Sequence, residues 1–104
     1  MKYFMDTHDR TKGSFPAEEL TEEQFFVQFD ALGVAGYELG VFAHAAHVNL
    51  PKGKTFCFMS GPDEEAIRKA HAAINLPYDS ITEVKRVTGA DMRIPRPEQK
   101  RKAG

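Results

Sequence analysis

The chain has no tryptophan and a single cysteine, Cys57, among its 104 residues. One thiol cannot close an internal disulfide, so the fold rests on its own core, and the expected compartment is the reducing cytoplasm. There is no excess of charge of either sign: 14 Lys and Arg stand against 15 Asp and Glu, a formal net charge of −1. Nucleic-acid binders usually carry a strong basic excess, and none is expected here. No apolar run approaches the roughly 18 residues a spanning helix needs, so no membrane association is expected. The first residues include Asp6, His8 and Asp9 rather than a basic stretch followed by a greasy one, which excludes a secretory signal from the reading. What the chain does have is 41% hydrophobic and 11% aromatic residues, enough apolar mass for one packed domain and too much for a disordered chain.

The punctuation along the chain predicts a short succession of elements. Lys2 to Asp6 reads as a first strand, followed by a polar loop from Thr7 to Lys12 and a turn at Gly13-Ser14-Phe15-Pro16. Thr21 and Gln24 have capping-box spacing, and Phe25, Phe29, Leu32 and Gly36 continue at helical spacing up to Leu39-Gly40. Val41 to Val48 is β-like, and simple alternation sets His44 and His47 on opposite faces. Asn49 to Gly53 reads as a hairpin loop and Lys54 to Met59 as a strand. Ser60 to Asp63 opens a second helix carrying Ala66, Ile67, Ala70 and Ile74, which Leu76-Pro77 ends. Ile81 to Val87 alternates as a last strand.

This order, βαββαβ, is the ferredoxin-like α+β arrangement: a four-stranded antiparallel sheet with two helices on one face. Residues 1–90 form that domain, and 91–104 a basic, proline-containing tail read as a solvated terminus. The uncovered sheet face should be polar, yet the first and third strands are apolar on both parities. A second copy packed sheet to sheet is the simplest cover, so a homodimer is expected.

The same topology brings the end of the first strand to the end of the second helix. Asp6 and His8 then lie near His71, Asn75, Tyr78 and Asp79. Imidazole and carboxylate together suit a divalent first-row transition metal, with Asp6, His8, His71 and Asp79 as its candidate ligands. Each also has a plainer reading, as a strand-end hydrogen bonder, a solvated loop histidine, a core-edge histidine or a turn residue. Cys57, between two phenylalanines, reads as a buried and inert thiol. No catalytic triad order, phosphate loop, Cys-x-x-Cys pair or His-Glu-x-x-His helix is present, and no catalytic residue is assigned.

Met5-Asp6-Thr7-His8, Leu20-Thr21-Glu22-Glu23 and Gly40-Val41 occur in the first half of the chain. Gly53-Lys54-Thr55-Phe56-Cys57-Phe58, Pro62-Asp63-Glu64-Glu65-Ala66-Ile67, His71 and Ile81-Thr82-Glu83-Val84 follow in the second. Over residues 1–84 this series resembles a small bacterial nickel-binding, ferredoxin-like family of unknown function. The resemblance implies a homodimer and a bound nickel or other divalent metal, with Asp6, His8 and His71 as ligands. Cys57 and Glu83 are family-pattern positions without an assigned role, and Phe29 and Asn75 stand where relatives carry histidine. The functional expectation is metal storage, sequestration or sensing. The alternative is an enzyme or small-molecule-binding protein of the dimeric α/β-barrel kind, its pocket lying between sheet and helices.

Overall fold

The computed structural model describes residues 1–87. The expected tail, and the boundary proposed for it, lie outside those residues. Seven elements follow in order: β1 (Lys2–Asp9), a 3-10 turn (Arg10–Lys12), α1 (Glu22–Tyr37), β2 (Phe42–Asn49), β3 (Lys54–Gly61), α2 (Glu64–Ala73) and β4 (Ser80–Val84). The strands form one antiparallel sheet in the order β2-β3-β1-β4, with both helices on one face, which is the ferredoxin-like arrangement. No helix among the described residues is long and apolar enough to cross a membrane.

Both helices begin where their caps dictate. Thr21 accepts a hydrogen bond from the Gln24 amide while the Gln24 side chain accepts one from the Thr21 amide, closing the expected capping box. Asp63 caps α2 by accepting from the Ala66 amide. After α1 the chain turns through Gly40, at φ +73°, into β2. Gly36 allows the helix to sit close to β2, since a Cβ there would come within 2.9 Å of the Val41 Cβ. The core between sheet and helices is built from Phe4, Leu32, Val41, Cys57, Met59, Ala66, Ile67 and Ala70. Burial of each larger apolar side chain there contributes about 1.5–3 kcal/mol.

β3 runs on to Gly61 instead of ending at Met59, β4 spans Ser80–Val84 instead of continuing to Val87, and the first two strands depart from the sequence reading in ways that move histidines. β1 continues to Asp9 instead of ending at Asp6, because Thr7, His8 and Asp9 go on pairing with Phe56, Thr55 and Lys54. His8 is therefore a strand residue and not a loop residue. In β2 a bulge between Ala43 and Ala45 shifts the register by one. His47 lies opposite Phe56, while the His44 ring packs near Tyr3 and Phe58, so both histidines occupy the face turned away from the helices. The bulge removes the simple alternation that predicted opposite faces.

Candidate metal centre

Along β1 the side chains of Phe4, Asp6 and His8 alternate toward the helices and are all buried. Phe4 meets the core, but the next two positions on that face are a carboxylic acid and an imidazole. Asp6 is fully buried, lying between Cys57 of β3 and Ile81 of β4. Thr55, Cys57 and Met59 point to the same side of β3. From above, α2 contributes Ile67, Ala70 and His71, one apolar face in which the last residue is polar and has no exposed surface.

Three polar side chains meet at Asp6. His8 Nε2 lies 2.8 Å from Asp6 Oδ1, and His71 Nε2 lies 3.1 Å from Asp6 Oδ2. The two imidazole rings stack at 5.7 Å between centroids, and Tyr78 meets His71 edge-on at 5.1 Å. Cys57 completes the group: donor atoms of Asp6, His8 and Cys57 all lie within 4.8 Å of one another.

The other nitrogen of each ring fixes its chemistry. His8 Nδ1 donates to the Pro77 carbonyl at 2.7 Å, and His71 Nδ1 donates to the Ile67 carbonyl at 2.8 Å. A carbonyl oxygen only accepts, so in both rings the proton of the neutral tautomer sits on Nδ1. Each Nε2 then presents a lone pair to a carboxylate that also presents lone pairs. The conflict is relieved if an imidazole takes up a second proton or if a cation lies among the three groups. The His71 contact has the distance of a hydrogen bond without its angle. Asp6 Oδ2 and His71 Nε2 are thereby left buried and without an aligned partner.

The charges respond accordingly. Burial, the largest influence on Asp6, would raise its pKa, but the hydrogen-bonding distances and positive character of His71 and His8 outweigh it and hold the carboxyl below its usual range. Burial also works against a charged His71. The Asp6 carboxylate and the Ile67 carbonyl together overcome it and raise the imidazole above its ordinary value. Burial, reinforced by the Asp6 charge, pushes the Cys57 thiol strongly upward. As a free thiol it is therefore unreactive, consistent with its position in the core.

Of the residues singled out from the sequence, Asp6, His8 and His71 come together. Asp79 does not. Its side chain faces Lys12 at 3.3 Å near the surface, and its backbone amide donates to the Thr7 carbonyl, which anchors the loop into β4. Asn75 is exposed and terminates α2 in the left-handed conformation at φ 54°. Cys57 enters the cluster in their place. A cavity of about 20 Å³, the size of one water or ion, adjoins His8, Thr55 and Cys57 and is lined also by Phe15, Phe29 and Leu76.

Residues 40–84 match the model of a family described as nickel responsive protein SCO4226-like. That stretch carries Cys57 and His71, while Asp6 and His8 precede it. No curated protein matches the chain. Among solved structures, the crystal structure of SCO4226 from Streptomyces coelicolor A3(2) superposes with a TM-score of 0.70 at 24% identity, covering 83% of this chain and 99% of that one. The fold is therefore that of SCO4226, and from β2 to β4 the chain resembles the nickel-responsive family named after it.

Proposed function

We propose that this protein binds a divalent transition metal, nickel first among them, with Asp6, His8, Cys57 and His71 as its donor set, and serves to store, sequester or sense it. The observation that carries this reading is the convergence of lone pairs on Asp6. Two imidazoles pinned by Nδ1–H bonds to carbonyls turn their Nε2 atoms toward one buried carboxylate, leaving Oδ2 and a facing Nε2 unpaired. A ring nitrogen held by a backbone carbonyl is the usual outer support of a ligating histidine, because it fixes the tautomer and the ring plane.

The donor chemistry also fits. Imidazole and thiolate favour the later first-row metals, and one carboxylate with one thiolate balances a divalent charge inside a low-dielectric core. Binding requires a neutral imidazole at both histidines and an ionised Cys57, so metal uptake releases protons and strengthens as pH rises. As pH falls, protons compete with the metal for His71, whose imidazole the Asp6 carboxylate makes more basic, and uptake weakens. The interior beside the cluster has room for an ion or a water but not for a substrate, which favours metal binding over an enzyme pocket between sheet and helices.

Calorimetric titration of chelator-stripped protein with nickel and with zinc tests the proposal, with His8→Ala, His71→Ala and Cys57→Ser run alongside and their folding checked by circular dichroism. Stoichiometric binding that each variant weakens is the expected result. Weak binding, or binding indifferent to all three substitutions, overturns it.

A further inference from the structure

The outer side of α1 carries a surface that neither the metal centre nor the sheet uses. The helix is apolar around most of its circumference. Leu32 and Gly36 are buried on the side packed against the sheet, while Phe26, Val27, Val34 and Tyr37 on the other side are 65 to 73% exposed. A helix that is apolar all round is normally covered all round, and among the described residues nothing covers this side. Gly33 lies on it, and a Cβ built there would meet no described atom within 4 Å, so packing within residues 1–87 does not account for a glycine in the helix interior. An open groove of about 640 Å³ is lined there by Asp30, Gly33, Val34, Ala35, Tyr37 and Glu38.

The charge of this helix has one sign. Glu22, Glu23, Asp30 and the C-cap Glu38 are acidic, α1 contains no Lys, Arg or His, and none of the four acids pairs with a base among the described residues. Glu22 and Glu23 suit the positive end of the helix dipole, but Glu38 stands at the negative end, where a cation is favoured. The 17 residues beyond Val87 contain what the surface lacks. They hold Arg93, Arg96, Lys100, Arg101 and Lys102 against Asp91 and Glu98, a net charge of +3, together with the apolar Met92, Ile94 and Pro95. The segment follows β4, at the edge of the sheet opposite β2, on which α1 packs. Reaching α1 takes three strand spacings, about 14 Å, and one helical layer about 10 Å thick, whereas 17 extended residues span about 56 Å.

We propose that residues 88–104 fold back across the outer face of α1 in the same chain instead of extending into solvent. Their apolar members lie against Phe26, Val27 and Val34, and their basic cluster lies beside Asp30 and Glu38. A second copy of the chain is the competing occupant. A two-fold contact of α1 with α1 would set four acids against four with no base on either helix, which favours the chain's own basic segment.

The test attaches a nitroxide to the full, metal-free chain through Ala103→Cys, with Cys57 buried away from the reagent, and reads the paramagnetic broadening of backbone amides. Broadening should be strongest along α1, at Phe26, Asp30, Val34 and Tyr37, and severalfold weaker at β4, where the segment is rooted. A segment with no docking site would reverse that order. Replacing the basic cluster by Lys100→Glu, Arg101→Glu and Lys102→Glu together should abolish the preference for α1. These positions follow the last strand and contribute nothing to the core, so the variant keeps the fold. Salt at about 1 M, where charges are screened beyond about 3 Å, should weaken the preference severalfold. Broadening strongest at β4, or an α1 pattern that survives charge reversal, overturns the proposal. So does broadening of α1 in isotope-labelled chains that carry no nitroxide but are mixed with chains that do, which would assign the face to a second copy.

Discussion

Replacing Asp6 by asparagine preserves the shape of the residue on which the metal centre turns and removes its charge. A ligand that binds only the folded state adds about 2.7 kcal/mol to stability at a concentration of one hundred times its Kd. In a domain of this size each kcal/mol moves the melting temperature by about 4–8 °C, so saturating nickel should raise the wild-type midpoint by roughly 11–22 °C. In Asp6→Asn the cluster holds two imidazoles, a thiol and a neutral amide. Only thiolate would be left to balance a divalent ion, and the nickel-dependent rise should vanish. Without metal the variant should lose little. Its amide can donate to one of the facing Nε2 atoms, so a change within about 1–2 kcal/mol is expected from one exchanged hydrogen bond. The assay is thermal unfolding by circular dichroism with chelator or nickel present. An Asp6→Asn protein that still gains the wild-type increment would refute the reasoning.

Three further outcomes follow from the same structure. Metal-free stability should peak in the weakly acidic range. His71, raised above 6.5, contributes fully below that pH and loses its contribution as pH climbs through its folded value. Asp6, lowered from 3.8, contributes above that pH and loses its share as pH falls through its folded value. Urea unfolding from pH 3 to 9 should therefore show a maximum between those limits, while nickel-bound protein continues to gain toward higher pH. Gly36→Ala should destabilise by about 1–3 kcal/mol in a denaturant titration, because the added Cβ meets the Val41 side chain at 2.9 Å and the Val41 carbonyl oxygen at 3.1 Å. Cys57, with 3% of its surface exposed and its thiol pushed up, should resist iodoacetamide in the native metal-free protein and react once the chain is unfolded in urea.

The order of elements was legible because each boundary is marked locally. Thr21 with Gln24, Gly40, Pro51 with Gly53 and Pro77 all act within a few residues of themselves, and none depends on a distant partner. The topology sets the end of the first strand beside the end of α2, and His71 falls four residues after Ile67 on the apolar face of α2, so Asp6, His8 and His71 were legible as neighbours although His8 read as a loop residue and belongs to β1. What was missed depended on register. Cys57 joins the site because β1 and β3 align it opposite Asp6, a pairing between residues 51 positions apart that neither strand encodes alone. Asp79 was misplaced for a related reason. Its backbone amide is tied to Thr7, which turns the carboxylate outward to Lys12. The bulge at Ala43 to Ala45 carries no glycine or proline to announce it, and with it went the parity of His44 and His47.

The central claim is that these particular side chains hold the metal, and X-ray absorption at the metal edge of the zinc- or nickel-loaded protein addresses it directly. A shell of nitrogen and oxygen neighbours with one sulfur, at about 2.3 Å for zinc, is the predicted result, with the sulfur lost in Cys57→Ser and imidazole scattering reduced in His71→Ala. A sulfur-free shell in the wild-type protein, unchanged in either variant, would contradict the account and place the ion elsewhere on the chain.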